Sequence, residues 1–299
     1  MKPIVILDLE WNGTYSRRLK GFINEIIEFG AVKVVDSSLQ PIDTFSMLVR
    51  PQVGKKISGK IAHLTSITDE ELESGCQFMQ VVSRFRKWAG DCTLMTWGTS
   101  DILALIENCR YFSGSGQVPF LTEYVDLQAY CEKRMSYQEG QQIGLSTAAE
   151  MLQINEEKFD HHRALDDSLL SLRCLQKLYD VDALQEMVQD ACKQEFYDRM
   201  EFRTVTLCDM ENPLLQDADW SFCCPVCGHI AHQDDKWVMH NKAFRAAFHC
   251  PVCFHKFYGR IQFKLKYEGL SARRTVYERE PKDSQQADGH NAPDVPAES

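Results

Sequence analysis

Ile4–Leu7 is an unbroken apolar run that Asp8 ends, and a run this short between polar residues suits a strand buried on both faces. A second β-rich run covers Ile26–Val35, and Phe45, Met47 and Val49 recur at the period of two that a half-buried strand shows. Residues 58–90 have helical spacing, with Glu70, Glu71 and Glu73 on a solvated face. Thr93–Trp97 predicts another strand, followed by a helix that carries Ile102, Leu105, Ile106 and Cys109 on one side. Ser113–Gln117 reads as loop, Tyr124–Leu127 as strand, and much of 128–152 and 164–179 as helix. Three consecutive strands and then strand–helix alternation predict an α/β fold, a mixed sheet covered by helices. From Val181 to about Met200, Leu184, Met187, Val188 and Ala191 form one stripe, expected of a connector helix packed on the first domain or, alternatively, of a dimer helix. After Glu280 hardly an apolar anchor remains, which predicts a disordered tail over 280–299.

Charge changes this picture because it is unevenly distributed. The 299 residues carry a formal −10, yet between Lys236 and Arg279 ten Lys/Arg face only Glu268 and Glu278, a net +8 that leaves −18 on the remainder. Such separation implies two parts with different electrostatic tasks. No apolar run approaches the roughly 18 residues of a membrane helix, and Ile4–Leu7 is too short for a signal-peptide core. A cytoplasmic protein with reduced thiols is therefore expected, in which its twelve cysteines point to metal before disulfide.

Candidate chemistry begins at Asp8 and Glu10. Residues two apart on a strand face the same way, so both carboxylates can enter one site, where they repel unless a cation or proton intervenes. Asp101 follows another predicted strand, and Asp167 closes His162-Arg163-Ala164-Leu165-Asp166-Asp167 at a helix start. Taken singly these are ordinary: an Asp opens many helices, and a His near a helix entry is commonly a surface residue.

As a set, in this order and spacing, they resemble the DEDDh (DnaQ-like) family of 3′–5′ exonucleases. Asp8-Leu9-Glu10 is similar to the first motif, Asp101 to the second, and His162 to Asp167 to the third, His-x-Ala-x-x-Asp. His161 and Asp166 offer a competing register, but only His162–Asp167 places Ala164 two positions after the histidine. The likeness spans about residues 3–179, including Ile26–Val32 and Leu64–Thr68. Trp11 and Ser66 stand where many members have a small residue and a glycine, both near the expected pocket for the terminal nucleotide. The resemblance implies a ribonuclease-H-like mixed five-stranded sheet flanked by helices, with two Mg²⁺ or Mn²⁺ ions on Asp8, Glu10, Asp101 and Asp167. Within that set Asp8 would bridge both ions and Asp101 support the second. It also implies His162 as the general base and Leu9 and Trp11 as nucleic-acid contacts.

Cys224-Pro225-Val226-Cys227 and Cys250-Pro251-Val252-Cys253 are identical units with 22 residues between them, the signature of a closed four-thiolate zinc site. Gly228 suits the tight backbone after the first unit, whereas Phe254 follows the second. Cys223, His229, His232, His249 and His255 are neighbouring alternatives, and a redox Cys-x-x-Cys or free core thiols are competing readings. Beyond the knuckles, alternation along Arg260–Tyr267 puts Arg260, Lys264 and Lys266 on one strand face, a basic surface that fits phosphates, or a strand that is merely solvated.

The expected organisation is an exonuclease domain over 1–180, a helical connector over 181–203, a basic zinc ribbon with one structural Zn²⁺ over 204–279, and the tail. The expected activity is hydrolysis of single-stranded nucleic acid from its 3′ end to nucleoside 5′-monophosphates, with RNA favoured over DNA because the motif phrasing around Leu145-Ser146 and His162–Asp167 resembles the RNA-processing branch. The rival readings are a non-catalytic adaptor that binds nucleic acid or protein, and a DNA proofreading or repair exonuclease. Clustered, mutually repelling carboxylates give an adaptor no advantage.

Overall fold

In the computed structural model, which describes residues 2–35, 38–137, 142–155 and 163–278, the first strand outlasts its apolar run. β1 (Ile4–Ser16) continues through Asp8 and Glu10 as one arm of a long antiparallel hairpin with β2 (Gly21–Val34). Its register sets Asp8 opposite Gly30 and Glu10 opposite Glu28, then shifts between Glu10 and Trp11. β3 (Asp43–Leu48) pairs antiparallel with β2, while β4 (Thr93–Thr96) and β5 (Glu123–Asp126) extend the sheet in parallel from β1.

The sheet is mixed and flanked by helices as expected, but it has six strands in the order β3-β2-β1-β4-β5-β6, not five. The sixth, β6 (Gln189–Asp190), is antiparallel to β5 and too short to leave a periodic signal. It interrupts the segment expected as a single connector helix, which instead comprises α8 (Val181–Gln185), β6 and α9 (Gln194–Glu201). Residues 58–90 likewise form three helices, α1 (Gly59–Thr65), α2 (Asp69–Glu73) and α3 (Phe78–Ala89). Ser66 ends α1 in a left-handed conformation, and Thr68 with Glu71 forms a capping box that restarts the chain as α2. The remaining helices are α4 (Ser100–Ser113), α5 (Leu127–Met135), α6 (Leu145–Met151) and α7 (Ala164–Leu178). Among the described residues no helix is long and apolar enough to cross a membrane.

Alternation along β1 divides the core into two layers. Val5, Leu7 and Leu9 pack with residues of α3 and α4, including Phe85, Leu105 and Ile106. Ile4 and Ile6 pack on the opposite face with Leu170, Leu172 and Leu175 of α7 and with residues of α5 and α6. Asp8 and Glu10 continue this second face beyond the end of its apolar portion.

α7 sits directly on the backbone of β2. A Cβ at Gly30 would lie 2.0 Å from both the Ala164 carbonyl carbon and the Leu165 nitrogen, so only glycine permits the approach. The Ser168 hydroxyl, 2.8 Å from the carbonyl oxygens of Gly30 and Ala164, fastens the helix there. Arg163 occupies the N-cap position without a side-chain cap bond of its own, and the buried Glu28 carboxylate takes over that function. Glu28 accepts from the Ala164 N–H at 3.2 Å and from the Arg163 guanidinium at 2.7 Å.

The chain divides into two compact units on either side of the Glu201–Phe202 bond. In the second unit β10 (Ala243–His249), β11 (Lys256–Lys266) and β12 (Gly269–Tyr277) form an antiparallel meander. β7 (Val205–Leu207) pairs with β11, and β8 (His232–Gln233) and β9 (Val238–His240) with β10. Phe244, Phe248, Phe257, Ile261 and Phe263 project from one face of this sheet into a core with Leu215, Trp220 and Phe222.

Gly30→Ala should lower the melting temperature of the first unit by 5 °C or more, since neither contacting backbone atom can withdraw; an overpacked core typically loses about 1–3 kcal/mol. Differential scanning calorimetry checks this, and a wild-type melting profile would refute the constraint.

Candidate active site

Two strand residues and one helix residue converge where α7 crosses the β1–β2 hairpin. Asp8, Glu10 and Asp167 each offer a carboxylate oxygen, all within 4.8 Å of one another, and all three side chains are half-buried. Asp8 and Glu10 share a face through strand alternation, and Asp167 lies in the first turn of α7, seated on Gly30 opposite Asp8.

Asp101 stands one step away from this group. It is 4% exposed, in the first turn of α4, and its Oδ1 accepts the Leu9 backbone N–H at 3.0 Å. Its charge still acts on Asp8 and Glu10, and that of Asp167 acts on it in turn. The turn into α4 is held by Gly98, at φ 78°, whose carbonyl accepts from Thr96 and Tyr124 hydroxyls at 2.5 and 2.9 Å.

Desolvation, reinforced by mutual repulsion, raises the pKa values of this cluster. Burial pushes Glu10 up to about 8, with Asp167 and Glu28 adding to the effect and Arg163 opposing it. Burial likewise lifts Asp101 to about 7 against the lowering influence of the Leu9 N–H, and holds Asp8 well above the usual carboxylate range. Several hard oxygen donors that resist shedding their protons form a donor set suited to a divalent cation, which would replace those protons. Beside them a cleft of about 280 Å³ is lined by Asp8, Trp97, Gly144, Leu145, Ser146, Thr147 and Asp167.

Leu9, expected as a nucleic-acid contact, has its side chain 3% exposed within the core, because alternation turns it away from Asp8 and Glu10. What Leu9 contributes is its backbone N–H to Asp101. Trp11 is half-buried against the same core. Asp166, adjacent to Asp167, is outside the converging group. His162, with His161, lies outside the described residues, as does the segment 280–299. Sequence reasoning did not single out Glu28 or Arg163, although an acid inside the apolar run Ile26-Ile27-Glu28-Phe29 was a signal that a buried charge needs a partner.

In the second unit Cys224, Cys227, Cys250 and Cys253 form the other candidate ligand group, with none of the neighbouring histidines in it. Sulfur–sulfur separations of 3.4–3.5 Å approach the edge of a tetrahedron with Zn–S bonds of 2.3 Å, about 3.8 Å. The two knuckles repeat one hydrogen-bond pattern. Gly228 and Phe254 donate to Cys224 and Cys250 at 2.9 and 3.0 Å, and both adopt positive φ, 75° and 59°. Backbone N–H groups, that of Cys253 and then that of Val252, draw the Cys250 thiol down to about 6, while desolvation and hydrogen bonds among the sulfurs leave Cys227 and Cys253 raised. Arg260, Lys264 and Lys266 lie on β11, where Arg260 and Lys264 alternate with the buried Ile261 and Phe263.

Comparison with known proteins agrees with this geometry. The RNase_T family model, described as exonuclease, matches residues 5–175. The probable 3′–5′ exonuclease KapD of Bacillus subtilis is 30% identical over 184 residues, covering 60% of this chain and 85% of that protein. Human 3′–5′ exoribonuclease 1 is 24% identical over 191 residues, and the chain spans half of its length. Among solved structures, the nuclease domain of 3′hExo, described as a DEDDh family member bound to rAMP, superposes with a TM-score of 0.52 at 25% identity, covering 59% of this chain and 90% of that domain.

Two measurements follow from the site. Because folding raises the carboxylate pKa values, protons retained by the native cluster are released on unfolding between about pH 4 and 8, so the associated stability is present below pH 4 and lost as pH rises. In divalent-free buffer the first unit should melt several degrees lower at pH 8.5 than at pH 5.5, and Glu10→Gln should raise its melting temperature at pH 8.5; a pH-independent melt would count against the shifts. For the cysteines, elemental analysis should find one zinc per chain, and Cys250→Ser should release it and render the second unit protease-sensitive. Full zinc retention would exclude the four-thiolate assignment.

Proposed function

This chain belongs to the RNase_T exonuclease family and is a 3′–5′ exonuclease of the DEDDh type, and from that premise we propose a two-metal hydrolysis of single-stranded RNA ends by the first unit, with a basic zinc ribbon as the second. The observation that carries the reading is the approach of Asp8, Glu10 and Asp167 to within 4.8 Å, with Asp101 in their field. Such crowding of buried acids opposes folding unless the cluster serves to hold cations.

Asp8, Glu10 and Asp167 would hold one divalent ion, and Asp8 and Asp101 would serve a second. Bound there, Mg²⁺ or Mn²⁺ would lower the pKa of the attacking water and offset charge developing at the leaving 3′ oxygen. His162, whose ordinary pKa is near 6.5, takes the proton of that water, a role supported by the sequence motif. The water oxygen bonds to phosphorus, the bond to the 3′ oxygen breaks, that oxygen takes up a proton from solvent to become the strand's new 3′ hydroxyl, and a nucleoside 5′-monophosphate leaves. The Glu28–Arg163 pair anchors the first turn of α7, and so the helix that carries Asp167. The cleft beside Asp8 and Asp167 offers Trp97 and Ser146 to the substrate end. Preference for RNA is supported by the relative named an exoribonuclease and by the neighbour bound to rAMP.

Incubating 3′-labelled single-stranded RNA and DNA with the protein and Mg²⁺ should release 5′-monophosphates, faster from RNA. Single Ala replacements of Asp8, Glu10, Asp101 or Asp167 should abolish release without unfolding the chain, and His162→Ala should slow it roughly 10²–10⁴-fold. Wild-type rates in two of the acid variants would reject the metal site, and faster DNA hydrolysis would reject the RNA preference.

A further inference from the structure

We propose that the face of the second unit's sheet opposite its core is a binding surface for single-stranded nucleic acid, with phosphates on Arg260, Lys264 and Arg273 and bases stacked on Tyr258 and Tyr277. The inference does not rest on the catalytic reading, and it extends beyond the three cations that alternation along β11 predicted.

Strand register builds the surface. Residues paired across neighbouring strands project from the same face, about 4.8 Å apart, and same-face residues repeat about every 6.6 Å along a strand. The core takes Phe257, Ile261 and Phe263 from β11, so Tyr258, Arg260, Gln262 and Lys264 belong to the other face. Their partners on β12 are Tyr277, Thr275, Arg273 and Ser271, and on β10 Ala247 stands opposite Tyr258 and Arg245 opposite Arg260. The result is a tyrosine pair flanked by the small Ala247, followed along the sheet by a step with Arg260, a step with Arg273 and a step with Lys264.

Charge identifies the occupant. β10, β11 and β12 contain Arg245, Lys256, Arg260, Lys264, Lys266, Arg273 and Arg274 but no Asp or Glu. Arg274, pointing to the core side, meets Asp219 and the Ser221 carbonyl, whereas no described carboxylate lies within ion-pair distance of Lys264 or Arg273. Adjacent like charges weaken a sheet, so this stripe has a physical rationale when an anion spans it. Arginine and lysine that track phosphates, interleaved with aromatic rings on which bases stack, are the elements of sequence-tolerant single-strand recognition. An acidic protein surface would use the cations and leave the tyrosine row without a role.

The test uses the full chain in an Asp8→Asn background, so that probes survive, with fluorescence anisotropy of 20-nucleotide single-stranded RNA, the same DNA sequence and duplex RNA across a KCl series. Lys264→Glu/Arg273→Glu should weaken single-strand binding about tenfold or more and reduce the log–log salt slope by about 1.4, two phosphates' worth. Tyr258→Ala/Tyr277→Ala should weaken it about tenfold with the slope unchanged, and duplex should bind less well than either single strand. Zinc content and melting temperature are measured on each variant, with the Gln/Gln version of the charge pair replacing any that unfolds. Unchanged affinity and slope in the folded charge variant, or no loss in the tyrosine variant, overturns the proposal, including in favour of a protein ligand. The catalytic reading is tested separately by comparing hydrolysis in the wild-type chain with that in Asp8→Asn, and its failure would leave the binding measurements standing.

Discussion

The bare backbone at Gly30 is the constraint on which the first unit depends. Asp8 stands opposite it across the β1–β2 ladder, and the first turn of α7 rests on it at a distance that any side chain would forbid. Helix and strand must meet this closely for a carboxylate in that turn to reach one on the strand. Glu28 and Ser168 then lock the contact, one by capping the helix N-terminus and the other by bonding the Gly30 carbonyl. Packing, capping and site geometry are therefore one arrangement.

The same closeness sets the electrostatics. Bringing Asp8, Glu10, Asp167 and the buried Asp101 together raises the free energy of their ionised forms, through lost solvation first and mutual repulsion second. Arg163 offsets part of this while pairing with Glu28. The rest remains as a demand for bound protons or cations, and that demand gives the cluster its chemistry. A site of this kind trades stability of the metal-free fold for affinity toward hard divalent ions.

The second unit solves a different problem. Its apolar cluster is small, built from one face of a meander and the aromatic residues that cover it, and Gly259 leaves room there for the Phe248 and Phe222 rings. Four thiolates joined through a metal would supply the cross-link that so small a core lacks. With the core confined to one face, the other is left to polar and cationic side chains. The repeated backbone of the knuckles extends even to Phe254, which takes the left-handed conformation that Gly228 takes in the first.

Local pattern carried much of this chain's description. Alternation placed Asp8 and Glu10 on a common face, the apolar runs located the principal strands, and the repeated Cys-Pro-Val-Cys units marked the thiolate group, because each depends on residues a few positions apart. Elements without periodicity were not legible: β6 has two residues, and the breaks between α1, α2 and α3 lie in caps rather than in hydrophobic spacing. Only the tertiary structure bound Asp101 to the Leu9 N–H, matched Glu28 with Arg163 and joined the β11 cations to Arg273 and the tyrosine row. These are relations between residues about ten to more than a hundred positions apart, fixed by strand register and by the approach of α7 to Gly30, and the period of a single element carries no information about them.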